Sequence, residues 1–303
     1  MPMGQISNLR RFAPKEVVDL ALALGSDFRI TQGPGGNVSM KEDQILWVKA
    51  SGAHMAEAKS QAIFVPVDLK DAQKRIAGGS VSFANLHKGS SLRPSIETSM
   101  HALINARFVA HVHSLGSLSM GLLKDPDIAR RSARGVCEIS IIPYVKPGIE
   151  LAKSIEMNLN SKSSALLLGN HGLTVWGETP QECEDLITRL ENVWRMMIKE
   201  DTKKGNRHWV DVIFGGMLFP DELVFLGPES FSLNPLAQNI FELLNDTGKQ
   251  ILQKSPWVSD FLKVLEEVAR SGLSIEQARY LTNLECNELL NWDAEKFRKK
   301  QIE

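Results

Sequence analysis

The sequence predicts a layered α/β domain over residues 1–226, followed by a helical C-terminal extension over 227–303. Two observations carry that expectation. Short β-branched and apolar runs alternate with helix-patterned segments as far as about Leu226, and beyond Gly227 the pattern is helical alone. No internal repeat or low-complexity tract interrupts either part.

Taken in order, Pro14 followed by Val17, Val18, Leu20, Ala21 and Leu24 on one stripe predicts a helix that Gly25 ends. Residues 31–39, Thr-Gln-Gly-Pro-Gly-Gly-Asn-Val-Ser, read as a turn-forming loop. Ile45–Lys49 is a short strand that runs out at Ala50-Ser51-Gly52. Residues 63–67 read as a strand, a helix follows Asp68, and a loop rich in glycine and serine runs to Gly89. Pro94 opens a helix with Ile96, Met100, Leu103 and Ile104 on one face. Residues 108–113, 139–144, 164–168 and 173–176 are the remaining strands. Thr179-Pro-Gln-Glu182 is a capping box with proline at the first helical position, and it opens a long helix expected to face Cys183, Leu186, Ile187, Leu190, Val193, Trp194 and Met197 inward. Ser274 to Gln277 repeats the capping signal within the extension.

Composition narrows the function classes. At 303 residues, 43% of them hydrophobic, the chain can bury one large core. Thirty-five basic against 36 acidic side chains leave a net charge of −1, so no global field recruits nucleic acid or an anionic membrane. A small anionic substrate needs only a local positive site. Cys137, Cys183 and Cys286 form no CxxC pair and fit reduced thiols in a cytoplasmic protein. The N-terminal segment has charges but no apolar run, so a signal peptide is not expected. No stretch reaches the roughly 20 apolar residues that cross a bilayer.

Four segments can carry chemistry. In Val-Ala-His111-Val-His113-Ser, residues two apart on a strand project both imidazoles to one face. Alone, that spacing fits either a metal-ligand pair or two hydrogen-bonded histidines on a half-buried strand. His171 follows an apolar strand in a Gly-Asn-His-Gly turn, at a sheet end where α/β proteins place ligands. With the other two it supplies a third nitrogen, and three protein ligands with an open position is the pattern of a catalytic metal. Arg93-Pro-Ser95-Ile-Glu97 places Glu97 in the first turn of a helix, where the helix dipole favours a carboxylate. His101, one turn on, reads as a packing residue. The loop Gly33-Pro-Gly-Gly36-Asn37-Val-Ser39, with Lys49-Ala-Ser51-Gly52 after it, offers backbone N–H groups and polar side chains to an anion, although it matches neither a Walker loop nor GxGxxG.

In this order the segments resemble the class II aldolase/adducin family, which includes fuculose-phosphate aldolase, rhamnulose-phosphate aldolase and ribulose-phosphate 4-epimerase. The matching pieces are Gly36-Asn37, Ser51-Gly52, Ser95 with Glu97, His111 with His113, and His171-Gly172, across residues 12–226. The resemblance implies a three-layer α/β/α fold on a mixed, largely antiparallel sheet, in a cyclic homotetramer. It implies that His111, His113 and His171 hold Zn²⁺ or another divalent metal such as Mn²⁺ or Co²⁺. It places Gly36, Asn37, Ser51, Gly52 and Ser95 around a substrate phosphate and makes Glu97 the acid/base. The implied activity is cleavage of a ketose phosphate or related hydroxy-carbonyl compound, with an epimerase, dehydratase, decarboxylase or non-catalytic adducin-like protein as alternatives. Two departures stand out. The tyrosine that protonates the leaving aldehyde in fuculose-phosphate aldolase has no counterpart in 114–142, which leaves Glu138 as the candidate donor. Ile96 replaces a serine hydroxyl often present at the phosphate.

Overall fold

Residues two apart on a strand face the same layer, and the burial pattern of this chain follows that rule on both sides of one sheet. The computed structural model describes residues 9–202, 209–272, 274 and 276–300. Its strands are β1 (Asn37–Glu42), β2 (Ile45–Lys49), β3 (Phe64–Asp68), β4 (Phe108–Val112), β5 (Ile139–Ile142), β6 (Ala165–Leu168) and β7 (Gly172–Gly177). They form a seven-stranded sheet in the order β3-β2-β1-β4-β7-β6-β5, in which β5 and β6 pair in parallel and every other pair is antiparallel.

The helices of the first two hundred residues are α1 (Lys15–Gly25), α2 (Leu69–Ala77), α3 (Thr98–Leu103), α4 (Leu115–Gly121), α5 (Pro126–Ala133), α6 (Ile149–Asn158) and α7 (Pro180–Thr202). Val38, Met40, Phe108, Ala110, Leu173 and Val175 pack with Val17, Leu20, Ile187 and Trp194, so α1 and α7 cover one face. Leu46, Val48, Val109 and Leu166 face the other way, onto Ala72, Ala102, Met100 and Leu151 of α2, α3 and α6. The three-layer α/β/α arrangement on a mixed, largely antiparallel sheet is present as expected.

Four local readings change. The loop expected over residues 31–39 gives way to β1 at Asn37, because that segment pairs with both β2 and β4. Pro94 does not open a helix. Its backbone bridges to Ala50 and Ser95 N donates to Lys49 O at 3.0 Å, so this stretch is held extended against the end of β2. Glu97 is therefore the residue before α3 rather than a member of its first turn. Helices α4, α5 and α6, which the periodicity did not single out, occupy the stretches between strands.

The later helices are α8 (Trp209–Phe214), α9 (Pro220–Phe225), α10 (Asp246–Lys254), α11 (Val258–Ala269), α12 (Asn283–Leu290) and α13 (Asp293–Lys300). Val212, Leu218, Ile240, Phe261 and Leu265 form one core with Leu115 and Leu118 of α4 and Leu122 just after it. The Ser274 and Gln277 side chains do cap one another's backbone, but the chain then turns into a bridge between Ala278 and Leu123. The helix starts only at Asn283, under a full capping box from Thr282 and Glu285. Among the described residues no helix is long and apolar enough to cross a membrane.

Candidate metal centre

Antiparallel register sets Asn37, His111 and Thr174 side by side across β1, β4 and β7. His111 shares its face with Val109, the face roofed by α3 and α6, and His113 follows one residue past the strand end. His171 arrives in the turn from β6 to β7. Asn170 before it is in the left-handed region at φ 54°, held where its amide donates to Leu218 O at 2.9 Å and Arg279 O at 2.7 Å. One donor atom from each of the three buried histidines lies within 4.8 Å of the others.

The nitrogens are oriented by what lies behind them. His111 Nδ1 sits 3.2 Å from Leu173 O and 3.0 Å from Thr174 Oγ1. A carbonyl oxygen only accepts, so Nδ1 carries the proton and Nε2 keeps a lone pair. His113 Nδ1 stands 3.0 Å from Asp221 Oδ2, with the same consequence. Burial, foremost, holds His111 well below the usual histidine range and lowers His171. His111 Nε2 and His113 Nε2 lie 3.1 Å apart, close enough to share one cation. That donor set fits a divalent metal.

Glu97 closes the group. Its Oε1 lies 3.3 Å from His171 Nε2 and its Oε2 lies 3.6 Å from His111 Nε2. Asn37 Nδ2 donates to Oε2 at 2.7 Å, while Oε1 has no hydrogen-bond partner among the described residues. Burial pushes this carboxyl up, whereas the facing imidazoles, when protonated, and the Asn37 amide pull it below the usual carboxylate range. Asn37 is itself fixed by His101, which meets Asn37 Oδ1 through Nε2 and Ser39 Oγ through Nδ1 at 2.7 Å.

The remaining expected residues fall on two sides of this centre. Ser95 Oγ lies 3.3 Å from Asn37 Nδ2, and the buried Ser51 hydroxyl has no hydrogen-bond partner among the described residues. Both border a cavity of about 610 Å³ that Arg93, Ile96, Trp292 and Phe297 also line. Gly52 beside it has φ 79°. Gly36, at φ 61°, lies so close to the metal side that a Cβ there would sit 2.7 Å from His111 O. Between the loops, Lys49 Nζ donates to Pro34 O at 2.7 Å and Ala53 O at 2.6 Å, and burial pushes this amine down to about 7.

Glu138 is not brought to the histidines within one chain. It is exposed, bonded to Asn160 Nδ2 at 2.6 Å, and precedes β5 at the strand end opposite the one where His171 lies. Tyr144 packs among Leu223, Leu281 and Leu289. Sequence reasoning missed Asp221, Arg298, Asn170 and the clamping role of Lys49. The only signal for Asp221 was the Phe-Pro-Asp-Glu start of α9, in which Pro220 opens the helix.

Comparison with known proteins agrees with this geometry. A family model described as Class II Aldolase and Adducin N-terminal domain matches residues 15–198. A Bacillus subtilis protein named as the uncharacterized oxidoreductase YuxG is 30% identical over 190 residues, covering 56% of this chain and 27% of the relative. The chain therefore spans only about a quarter of that relative's length. A methylthioribulose-1-phosphate dehydratase of Microcystis aeruginosa is 27% identical over 197 residues, 55% of this chain and 85% of that enzyme. In fold, the N-terminal class II aldolase domain of a Thermoplasma acidophilum protein superposes with a TM-score of 0.52 at 24% identity, over 65% of this chain and 99% of that one.

Proposed function

Since the chain belongs to the class II aldolase and adducin family, we propose that it is a metal-dependent lyase that cleaves a ketose phosphate or related hydroxy-carbonyl compound. The observation that carries this reading is the convergence of three imidazoles on one point beside the Glu97 carboxylate. His111, His113 and His171 would hold zinc, or manganese or cobalt in its place, which when bound supplies Lewis acidity toward a substrate oxygen. Glu97 moves the proton at the carbon next to the carbonyl, with Oε2 steadied by Asn37 and Oε1 left available. In the cleavage direction a base, Glu138 of a second chain or water, would take the β-hydroxyl proton, the C–C bond breaks to release an aldehyde and leave an enediolate, and Glu97, protonated from solvent, gives its proton to the enediolate carbon. Ser51, Gly52 and Ser95, with Gly36 and Asn37 behind them, would take the phosphate. The Ser51 hydroxyl is free to donate to it.

Dehydration of such a substrate at the same site is the second reading. It is favoured by the dehydratase name of the Microcystis aeruginosa relative and by the position of Glu138. Loss of water removes the proton next to the carbonyl and adds one to the leaving hydroxyl, and Glu97 can take the first and deliver it to the second. Glu138 can take the β-hydroxyl proton in cleavage only if it comes from a second chain, as in the homotetramer proposed here. The products formed from a panel of ketose phosphates with added Zn²⁺ or Mn²⁺ decide between the two. An aldehyde plus a smaller ketone supports cleavage, whereas a product lighter by one water with no aldehyde replaces it by dehydration. No turnover of any hydroxy-carbonyl compound by metal-loaded protein overturns both.

A further inference from the structure

The family match ends at residue 198, yet the centre is completed by residues well beyond it. Asp221 Oδ2 lies 3.0 Å from His113 Nδ1, and its Oδ1 accepts from Arg298 Nη2 at 2.6 Å. Arg298 Nε in turn makes an ion pair with Glu295 Oε2 at 2.8 Å, and its guanidinium lies over the Phe225 ring at 4.8 Å. His113, Asp221, Glu295 and Arg298 are all at most 8% exposed. Burying this many charges is costly unless each is paired, and here α9 and α13 supply the pairs. The glycine loop leaves room for the central contact. A Cβ on Gly35 would come within 2.9 Å of His113 Nδ1 and 3.1 Å of Asp221 Oδ2.

We infer that Asp221 and Arg298 are positioning residues of the metal centre, through which α13 governs how tightly His113 holds a divalent ion. This inference rests on the metal-binding reading above. A carboxylate behind a ligating imidazole fixes its tautomer and ring angle and strengthens its free nitrogen as a donor. Asp221 has the position to do this for His113. Arg298 engages the other carboxylate oxygen and so keeps Oδ2 pointed at the ring. The extension also braces His171, since Arg279 Nη1 donates to Asn170 Oδ1 at 2.8 Å. Two of the three imidazoles are thus set by chain that follows the matched domain.

The test uses the full chain and zinc alone, with affinity measured by competition against a chromophoric chelator and geometry by the visible bands of the cobalt-substituted protein. Asp221→Asn keeps the shape and removes the charge. It is expected to weaken zinc binding ~10- to 100-fold and to shift the cobalt bands. Arg298→Gln is expected to weaken binding by a smaller factor, and Arg298→Lys to restore part of it. A merely structural ion pair would lower the melting temperature of the metal-free protein and leave zinc affinity and the cobalt spectrum of the folded fraction unchanged. That result in both Asp221→Asn and Arg298→Gln overturns the inference, and either variant alone can be read if the other fails to fold. If the unaltered protein retains no zinc, the metal reading itself falls. If it binds zinc and the variants match it, only the positioning role does.

Discussion

Asn37 holds Glu97 by a 2.7 Å hydrogen bond from its amide nitrogen, and the other end of the same amide is fixed by His101. The imidazole of His101 is neutral, since burial pushes it down to about 3, and its Nε2–H can donate only because Ser39 Oγ satisfies Nδ1. Asn37→Ala removes a charge-assisted hydrogen bond of about 1.5–3 kcal/mol. Turnover should fall roughly 10- to 100-fold with zinc content unchanged. Kinetics and metal analysis of the same preparation check this, and a turnover within twofold of the parent would show that Glu97 does not depend on Asn37.

Removing the metal should cost stability as well as activity. Without metal, His111 Nε2 and His113 Nε2 lie 3.1 Å apart and Glu97 Oε1 has no hydrogen-bond partner among the described residues. A ligand that binds only the folded state stabilises it by about 2.7 kcal/mol at a free concentration one hundred times its Kd. Chelated protein should therefore melt several degrees lower than protein with added zinc, and His111→Ala should lose the response. Equal melting temperatures with and without zinc would sink the metal assignment.

The sheet was legible in the sequence because strand residues face alternate layers. Val38, Phe108 and Leu173 go to one core and Val109 and Leu166 to the other, so period-two apolar runs were visible. The three histidines and Glu97 were legible as a set because each lies at a strand or helix end. The residues behind them were not. Asp221 and Arg298 are charged positions on helices, and on a sequence a charged helix position reads as solvated surface. Only the folding of α9 and α13 back onto β4 buries them. Pro94 misled for a related reason. Proline at a helix start is a local signal, and the long-range bridge to Ala50 overrode it.

The cavity beside Ser51 and Ser95 offers a separate test of the phosphate. Lys49 ties Pro34 O to Ala53 O and so fixes the two loops relative to each other. Lys49→Met keeps the length and loses both bonds, each worth about 0.5–1.5 kcal/mol. The variant should melt lower and bind phosphoglycolate more weakly, whereas Ser51→Ala should weaken that binding alone. Calorimetric titration of both variants reads the difference. Undiminished binding in Ser51→Ala would move the anion elsewhere.

Glu222 gives the fold a pH dependence of its own. It is fully buried. Its Oε2 accepts from Leu218 N at 2.7 Å and its Oε1 has no hydrogen-bond partner among the described residues. Burial raises its carboxyl from 4.5 to about 8, with the backbone N–H groups of Leu218 and Phe219 pulling the other way. A raised carboxyl is protonated in the folded state while the unfolded chain has already ionised. Its stabilising effect is therefore complete below pH 4.5 and is lost as pH rises toward 8. At about 1.4 kcal/mol per unit the loss amounts to a few kcal/mol over that window. Glu222→Gln keeps an acceptor for Leu218 and cannot ionise. The parent should lose melting temperature between pH 5 and about 8 relative to the variant, and the two curves should run together at lower pH. Differencing the two proteins removes the titration of the metal histidines, which both share. Parallel curves across the range would mean that Glu222 is ionised in the fold, with Oε1 satisfied by a group other than its own proton.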